Sequence, residues 1–180
     1  LFGSTHDSFF GPQGGMMLAD KEHGEMIKSQ IFPALVDNAH WNRIAALTLA
    51  LAEMLEFGEG YATQVVANAQ ELARALKEVG FPVVCPDLGY TKSHQVFVDF
   101  GGYEQGYRVA RKLEKANVIV DSLVRVGVCE ATRRGMKKAE MLRVAELMER
   151  AFIKGERPEK VKRDVELFMQ DFQEIKYCFA

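Results

Sequence analysis

Two places in this chain carry side chains suited to chemistry. One is Ser4-Thr5-His6-Asp7-Ser8, where hydroxyls and an imidazole flank a carboxylate; the other is Val124-Arg125-Val126-Gly127-Val128, where a lone arginine sits among valines. On a strand, Val124, Val126 and Val128 fall on one side and Arg125 and Gly127 on the other, so an apolar face is buried and a guanidinium is presented opposite it. A guanidinium fork holds a carboxylate through two parallel hydrogen bonds, which fixes an amino acid's orientation as an ammonium group cannot. From these residues alone, a solvated or ion-paired surface arginine is the plainer reading.

Other groups invite chemical readings that their surroundings weaken. His40 beside Trp41 and His94 on an expected strand have no carboxylate or cysteine at ligand spacing, so both read as structural histidines and no metal site is expected. Gly11-Pro12-Gln13-Gly14-Gly15 lacks the Gly-Lys-Ser/Thr ending of a phosphate loop and precedes a strand, so it reads as a tight hairpin. The basic run Arg133 to Lys138 has no interleaved aromatics and is flanked by Glu130 and Glu140; it reads as a solvated helix entry and not as a nucleic-acid surface.

The elements that must position these groups follow from periodicity. Leu1 to His6 reads as the end of a strand running into a loop, so the chain is expected to continue a longer polypeptide. Met16 to Leu18 reads as a second strand. Asp37 or Asn38 can cap a helix from Trp41 to Leu55, apolar nearly all round as a helix buried on most sides would be, and Gly58 and Gly60 are expected to break it. Val65, Ala69, Leu72, Ala73 and Leu76 mark the next helix, with Gly80 as a left-handed cap. Strands are expected at 82–85, 94–100, 118–120 and 124–128. Helices are expected around 107–116 and 141–152, and after Pro158 to Ile175. Their order suggests helices covering a small, mostly antiparallel sheet.

Composition sets outer limits. The 180 residues can bury one sizeable core, and a formal charge of -2 gives no reason to expect nucleic acid or an anionic membrane as partner. Cys85, Cys129 and Cys178 are odd in number and form no C-x-x-C pair, which fits free thiols in a reducing, cytoplasmic setting. The stretch from Ile44 to Leu55 is too short, and too broken by Thr48 and Glu53, to span a bilayer.

Five ordered stretches carry a family resemblance. Ser4-Thr5-His6-Asp7 followed by Gly11-Pro12-Gln13-Gly14-Gly15 is similar to the serine hydroxymethyltransferase signature of Ser/Thr-Thr-His-Lys and Gly-Pro-x-Gly-Gly. Phe32-Pro33, Gln64 to Ala69, Ser93 to Asp99, and Arg125-Val126-Gly127 with Thr132 to Met136 resemble the same family in the same order. The resemblance implies an α/β fold-type-I pyridoxal-phosphate transferase. Residues 1–58 would close its large domain, and 59–180 would form a small α+β C-terminal domain with helices packed on a mostly antiparallel sheet. The implied parent enzyme is a homodimer that interconverts serine and glycine, passing a one-carbon unit to a folate-type carrier.

On that reading Ser4, Thr5 and His6 contact the cofactor, Arg125 binds the substrate carboxylate, and Asp7 stands at the position of the family's cofactor-binding lysine. Most phosphate contacts and the ring-stacking and pyridine-pairing residues would lie upstream. Two further departures are Ala34-Leu35-Val36-Asp37-Asn38 in place of a Gly-rich run after Phe32-Pro33, and the short link Asp121-Ser122-Leu123 where the family carries a longer loop. The alternatives are a non-catalytic paralogue or fragment lacking the Schiff-base lysine, and a related aldolase or transaldolase for another β-hydroxy amino acid.

Overall fold

In the computed structural model, which describes residues 1–179, the chain packs as two compact units, Leu1–Gly58 and from Glu59 onward. The first opens with an antiparallel pair, β1 (Phe2–His6) and β2 (Phe10–Met17), in the register Phe2↔Met17, Gly3↔Met16, Ser4↔Gly15 and His6↔Phe10. The turn is Asp7-Ser8-Phe9, so the glycine-rich run expected as the hairpin is the strand β2 itself. Its glycines serve close approach: a Cβ on Gly11 would meet the Thr5 carbonyl oxygen at 2.6 Å.

Helix α1 (Lys21–Ile31) was not expected from periodicity. Asp20 caps it, accepting the His23 N–H at 3.0 Å. After the Phe32-Pro33 segment comes α2 (Trp41–Glu78), which starts where the His40 carbonyl accepts from Arg43 and Ile44, later than the Asp37 or Asn38 cap expected.

Helix α2 runs unbroken for 38 residues, through Gly58 and Gly60. Each glycine costs a helix about 1 kcal/mol relative to alanine, which the surrounding Ala, Leu, Glu and Met residues outweigh without a proline to remove a hydrogen bond. Between Trp41 and Phe57 the helix buries one face, around Ala50 and Glu53, while Trp41, Leu49 and Leu55 are exposed. Burial on most sides is therefore not what the described residues provide. The helix ends as expected at Gly80, whose positive φ lets the Phe81 N–H reach back to the Leu76 carbonyl at 2.9 Å.

The second unit is built on the other end of α2, where Ala69, Leu72, Ala73 and Leu76 are fully buried. Strand β3 (Gln95–Phe97) pairs antiparallel with β4 (Arg125–Gly127), Phe97 opposite Arg125, and a bridge from Val83 to Val98 adds the 82–84 segment. Helices α3 (Tyr103–Lys115), α4 (Cys129–Arg133), α5 (Lys138–Phe152) and α6 (Pro158–Met169) complete it. Residues 118–120 form no ladder: Asn117 ends α3 in a left-handed conformation and Ile119 points to solvent, so the strand expected there is a loop. Helix α6 stops at Met169 and passes into a short 3-10 turn, Gln170–Phe172, before the expected Ile175.

Two polar clusters lock this unit. Asn68, wholly buried on α2, donates to the Thr132 hydroxyl and the Met136 carbonyl, both at 2.9 Å, and accepts from Gln64 at 2.8 Å. Arg150 on α5 donates to both carboxylate oxygens of Glu156, at 3.0 and 3.1 Å, and to Asp164 of α6 at 2.6 Å. The Arg150 guanidinium, with help from Lys160, holds the Glu156 carboxyl down at about 2 from an ordinary 4.5.

A carboxyl depressed in the folded state stabilises fully above its unfolded pKa, and that contribution is lost as pH falls through the folded value. Melting temperature is therefore expected to fall between about pH 4.5 and about pH 2, and Glu156→Gln to flatten that slope while lowering stability at neutral pH. An unchanged slope in the variant would remove Glu156 from the account.

Candidate functional site

Ser4, Thr5, His6 and Asp7 lie together on the first hairpin, and alternation divides them. Thr5 points inward, 2% exposed, and its hydroxyl donates to the Pro12 carbonyl at 2.6 Å. Ser4 and His6 face outward. Ser4 lines a groove of about 1120 Å³ whose walls are mainly apolar side chains such as Met17, Ile27 and Ile31. His6 Nδ1 lies 3.2 Å from both the N–H and the carbonyl of Gly14, which holds the ring along the partner strand. Asp7 is exposed at the hairpin turn.

A smaller cleft of about 220 Å³ lies against the buried face of this hairpin, lined by Thr5, the 12–15 segment, His40 and Arg43. The volume order does not follow the chemistry. The large groove offers few polar groups, whereas the small cleft gathers a guanidinium, an imidazole and a strand rich in backbone N–H. Arg43 carries no signal in the sequence, because it sits in an apolar helical run with no motif around it.

Arg125 stands on β4 in the second unit. The expected alternation is present: Val124, Val126 and Val128 are buried, and Arg125 and Gly127 are exposed. Its Nε–H donates to Asp121 Oδ2, with side chains 41% and 35% exposed respectively, so the guanidinium is tethered yet reachable. In the sequence Asp121 stands out only as part of a short link. The strand itself is held from behind, since α4 follows it directly and Thr132 of α4 is gripped by Asn68.

The fold these elements make is that of an α/β fold-type-I transferase. The solved structure of an L-threonine transaldolase from Pseudomonas fluorescens, in its internal aldimine state, superposes with a TM-score of 0.89 at 29% identity, over 99% of this chain and 44% of that one. The family model of serine hydroxymethyltransferase matches residues 2–148. The serine hydroxymethyltransferase of Methanocaldococcus jannaschii is 44% identical over 99% of this chain and 46% of its own length, and that of Methanocella arvoryzae 44% over 98% and 45%.

This chain belongs to the serine hydroxymethyltransferase family. It spans about half the length of the curated relatives it matches. The alignment to the Methanocaldococcus protein runs over 198 positions, more than the 180 residues of this chain, so that relative carries residues this chain lacks. Among the described residues no helix is long and apolar enough to cross a membrane.

Proposed function

We propose that this chain is the C-terminal portion of a serine hydroxymethyltransferase-like enzyme in which Arg125 binds the carboxylate of an amino-acid substrate. The parent reaction on this reading interconverts serine and glycine, with a folate-type molecule carrying the one-carbon unit and pyridoxal phosphate as cofactor. Residues 1–58 end its large domain and residues 59–180 form its small domain; the parent is a cytoplasmic homodimer. The observation that carries the proposal is the exposed Arg125 guanidinium, backed by three buried valines and tethered among the described residues through Nε.

The cofactor's covalent attachment does not fit the residues present. Joining the pyridoxal aldehyde to the protein needs a primary amine, and position 7 offers a carboxylate. Thr5, assigned to the cofactor by resemblance, has its hydroxyl buried and committed to Pro12. Ser4 and His6 remain exposed and suit a polar ligand. Asp7 thus favours a second reading, a paralogue or fragment that keeps the fold without the Schiff base. The likeness to a transaldolase favours a third, the same carbon chemistry on another β-hydroxy amino acid.

Arg125→Lys tests the central claim. A point-charge ammonium keeps the sign and loses the fork, so serine binding by the full-length polypeptide should weaken by roughly one to two decades. Melting temperature should barely move, because the side chain is exposed. Calorimetric titration with serine reads the first and thermal denaturation the second. Unchanged affinity would return Arg125 to the solvated surface.

A further inference from the structure

Asp121 holds Arg125 through side chain and backbone together. Its Oδ1 accepts the N–H of Leu123 at 3.0 Å and of Arg125 at 2.8 Å, while Oδ2 takes the Arg125 Nε–H. One carboxylate therefore closes the turn into β4 and grips the guanidinium that follows. The turn needs such support: Val124 has φ 54°, a region that costs a β-branched residue, and its side chain is wholly buried. On its other side the turn is backed by α3, where a Cβ on Gly106 would lie 2.5 Å from the Ser122 carbonyl oxygen.

A guanidinium carries five N–H donors in one plane. With Nε–H taken by Asp121, the edge formed by Nη1 and Nη2 is the one left for a bidentate partner. The neighbouring backbone is fixed by the same carboxylate, so the direction of that edge is set before a ligand arrives. A ligand carboxylate is then spared the ordering of a long, flexible side chain. Asp121 also places a negative charge near that ligand, and the two effects have opposite signs in an affinity measurement.

We propose that Asp121 is a positioning residue that presents the Nη1–Nη2 edge of Arg125 to the α-carboxylate of the substrate, with the ordering effect outweighing the repulsion. This rests on the reading of Arg125 as the carboxylate binder. The test titrates the full-length polypeptide with L-serine and with L-serinamide, which keeps the amine and hydroxymethyl groups and lacks the carboxylate. It compares the unchanged protein with Asp121→Asn, Arg125→Lys and the double variant. Asparagine keeps an oxygen for the Leu123 and Arg125 N–H groups, so the turn persists, but it offers Nε–H no charged acceptor.

Asp121→Asn should weaken serine binding about tenfold, leave serinamide unchanged and shift melting by no more than about 2 °C. On the Arg125→Lys background the same change should cost less than about twofold, because the two residues act as one unit. If Asp121→Asn leaves serine affinity equal or higher while Arg125→Lys still lowers it, Asp121 is a competing counter-ion and the positioning role is overturned, with Arg125 still the binder. If Arg125→Lys changes nothing, both assignments fall.

The unchanged protein supplies an independent check should Asp121→Asn fail to fold. Its Arg125 Nε–H should exchange with water about tenfold more slowly than that of Arg108, whose contact with Glu104 is long at 3.8 Å and exposed. Equal exchange rates would overturn the held geometry.

Discussion

Replacing Asp7 by lysine is expected to give the full-length polypeptide a covalent attachment for pyridoxal phosphate that the present sequence denies it. The carboxylate fails for two separate reasons. It has no amine to condense with an aldehyde, whatever its surroundings. It also sets a negative charge beside an anionic cofactor, and two unit charges ~6 Å apart at an effective dielectric of ~20 repel by about 3 kcal/mol. The hairpin that carries the residue gives the substitution room: position 7 is exposed at the turn, and the ladder holding Ser4 and His6 does not use its side chain.

Borohydride reduction after loading, followed by mass mapping, should place a pyridoxyl group on residue 7 of Asp7→Lys and on no residue between 1 and 15 of the unchanged protein. A unique stoichiometric adduct elsewhere in the unchanged protein, on Lys21 or Lys28 for instance, would mean that another amine has taken over the role. No adduct on Asp7→Lys would mean that residue 7 does not correspond to the family lysine. Turnover then separates the alternatives: recovered serine cleavage identifies an otherwise ordinary enzyme, and attachment without turnover a diverged paralogue.

The second large effect is on stability and is expected at Asn68. Asn68→Ala leaves the buried Met136 carbonyl and Thr132 hydroxyl oxygen without their donor, and the half-buried Gln64 amide without its acceptor. With unpaired buried groups costing about 1 to 3 kcal/mol each, the loss should be about 3 kcal/mol, or roughly 10 °C in melting temperature. Asn68→Asp should be worse despite its shape. The Thr132 hydroxyl already donates to the Val128 carbonyl at 2.7 Å, so it and Met136 would both present lone pairs to the new carboxylate. Thermal denaturation of both variants checks the ranking, and an aspartate variant as stable as the parent would refute the assignment of Asn68 as donor to Thr132 and Met136.

What the sequence made legible was what alternation and helical spacing encode. Arg125 opposite three valines is a period-two statement and is found as written. The Gly80 cap and the buried stripe from Ala69 to Leu76 are equally local. The rest depended on longer-range balance. Gly58 and Gly60 looked like a break because each is a poor helix former, yet a helix is decided by the sum over its length. Helix α1 is not legible from periodicity because it has no fully buried residue and includes Gly24; its one strong mark, Asp20 at the cap, precedes a polar run. Among the site residues, Thr5 turns inward by alternation, but the register of its strand shifts between Ser4 and His6, and no pattern in the sequence announces that shift. The grip of Asp121 on Arg125 needs Val124 in a backbone conformation that valine itself disfavours.

The close approach of Gly106 to Ser122 also bears on how this protein can change over generations. Any side chain at 106 would push the 121–123 link off α3, and with it the orientation of Arg125. A lineage can gain a side chain at 106 only after, or together with, a rerouting of the link, whereas glycine there tolerates either course. A relative with a rerouted loop beside the arginine could accept a side chain at 106, whereas this short link requires glycine there, so a residue with no chemistry of its own restricts the routes by which a lineage could come to carry the short link.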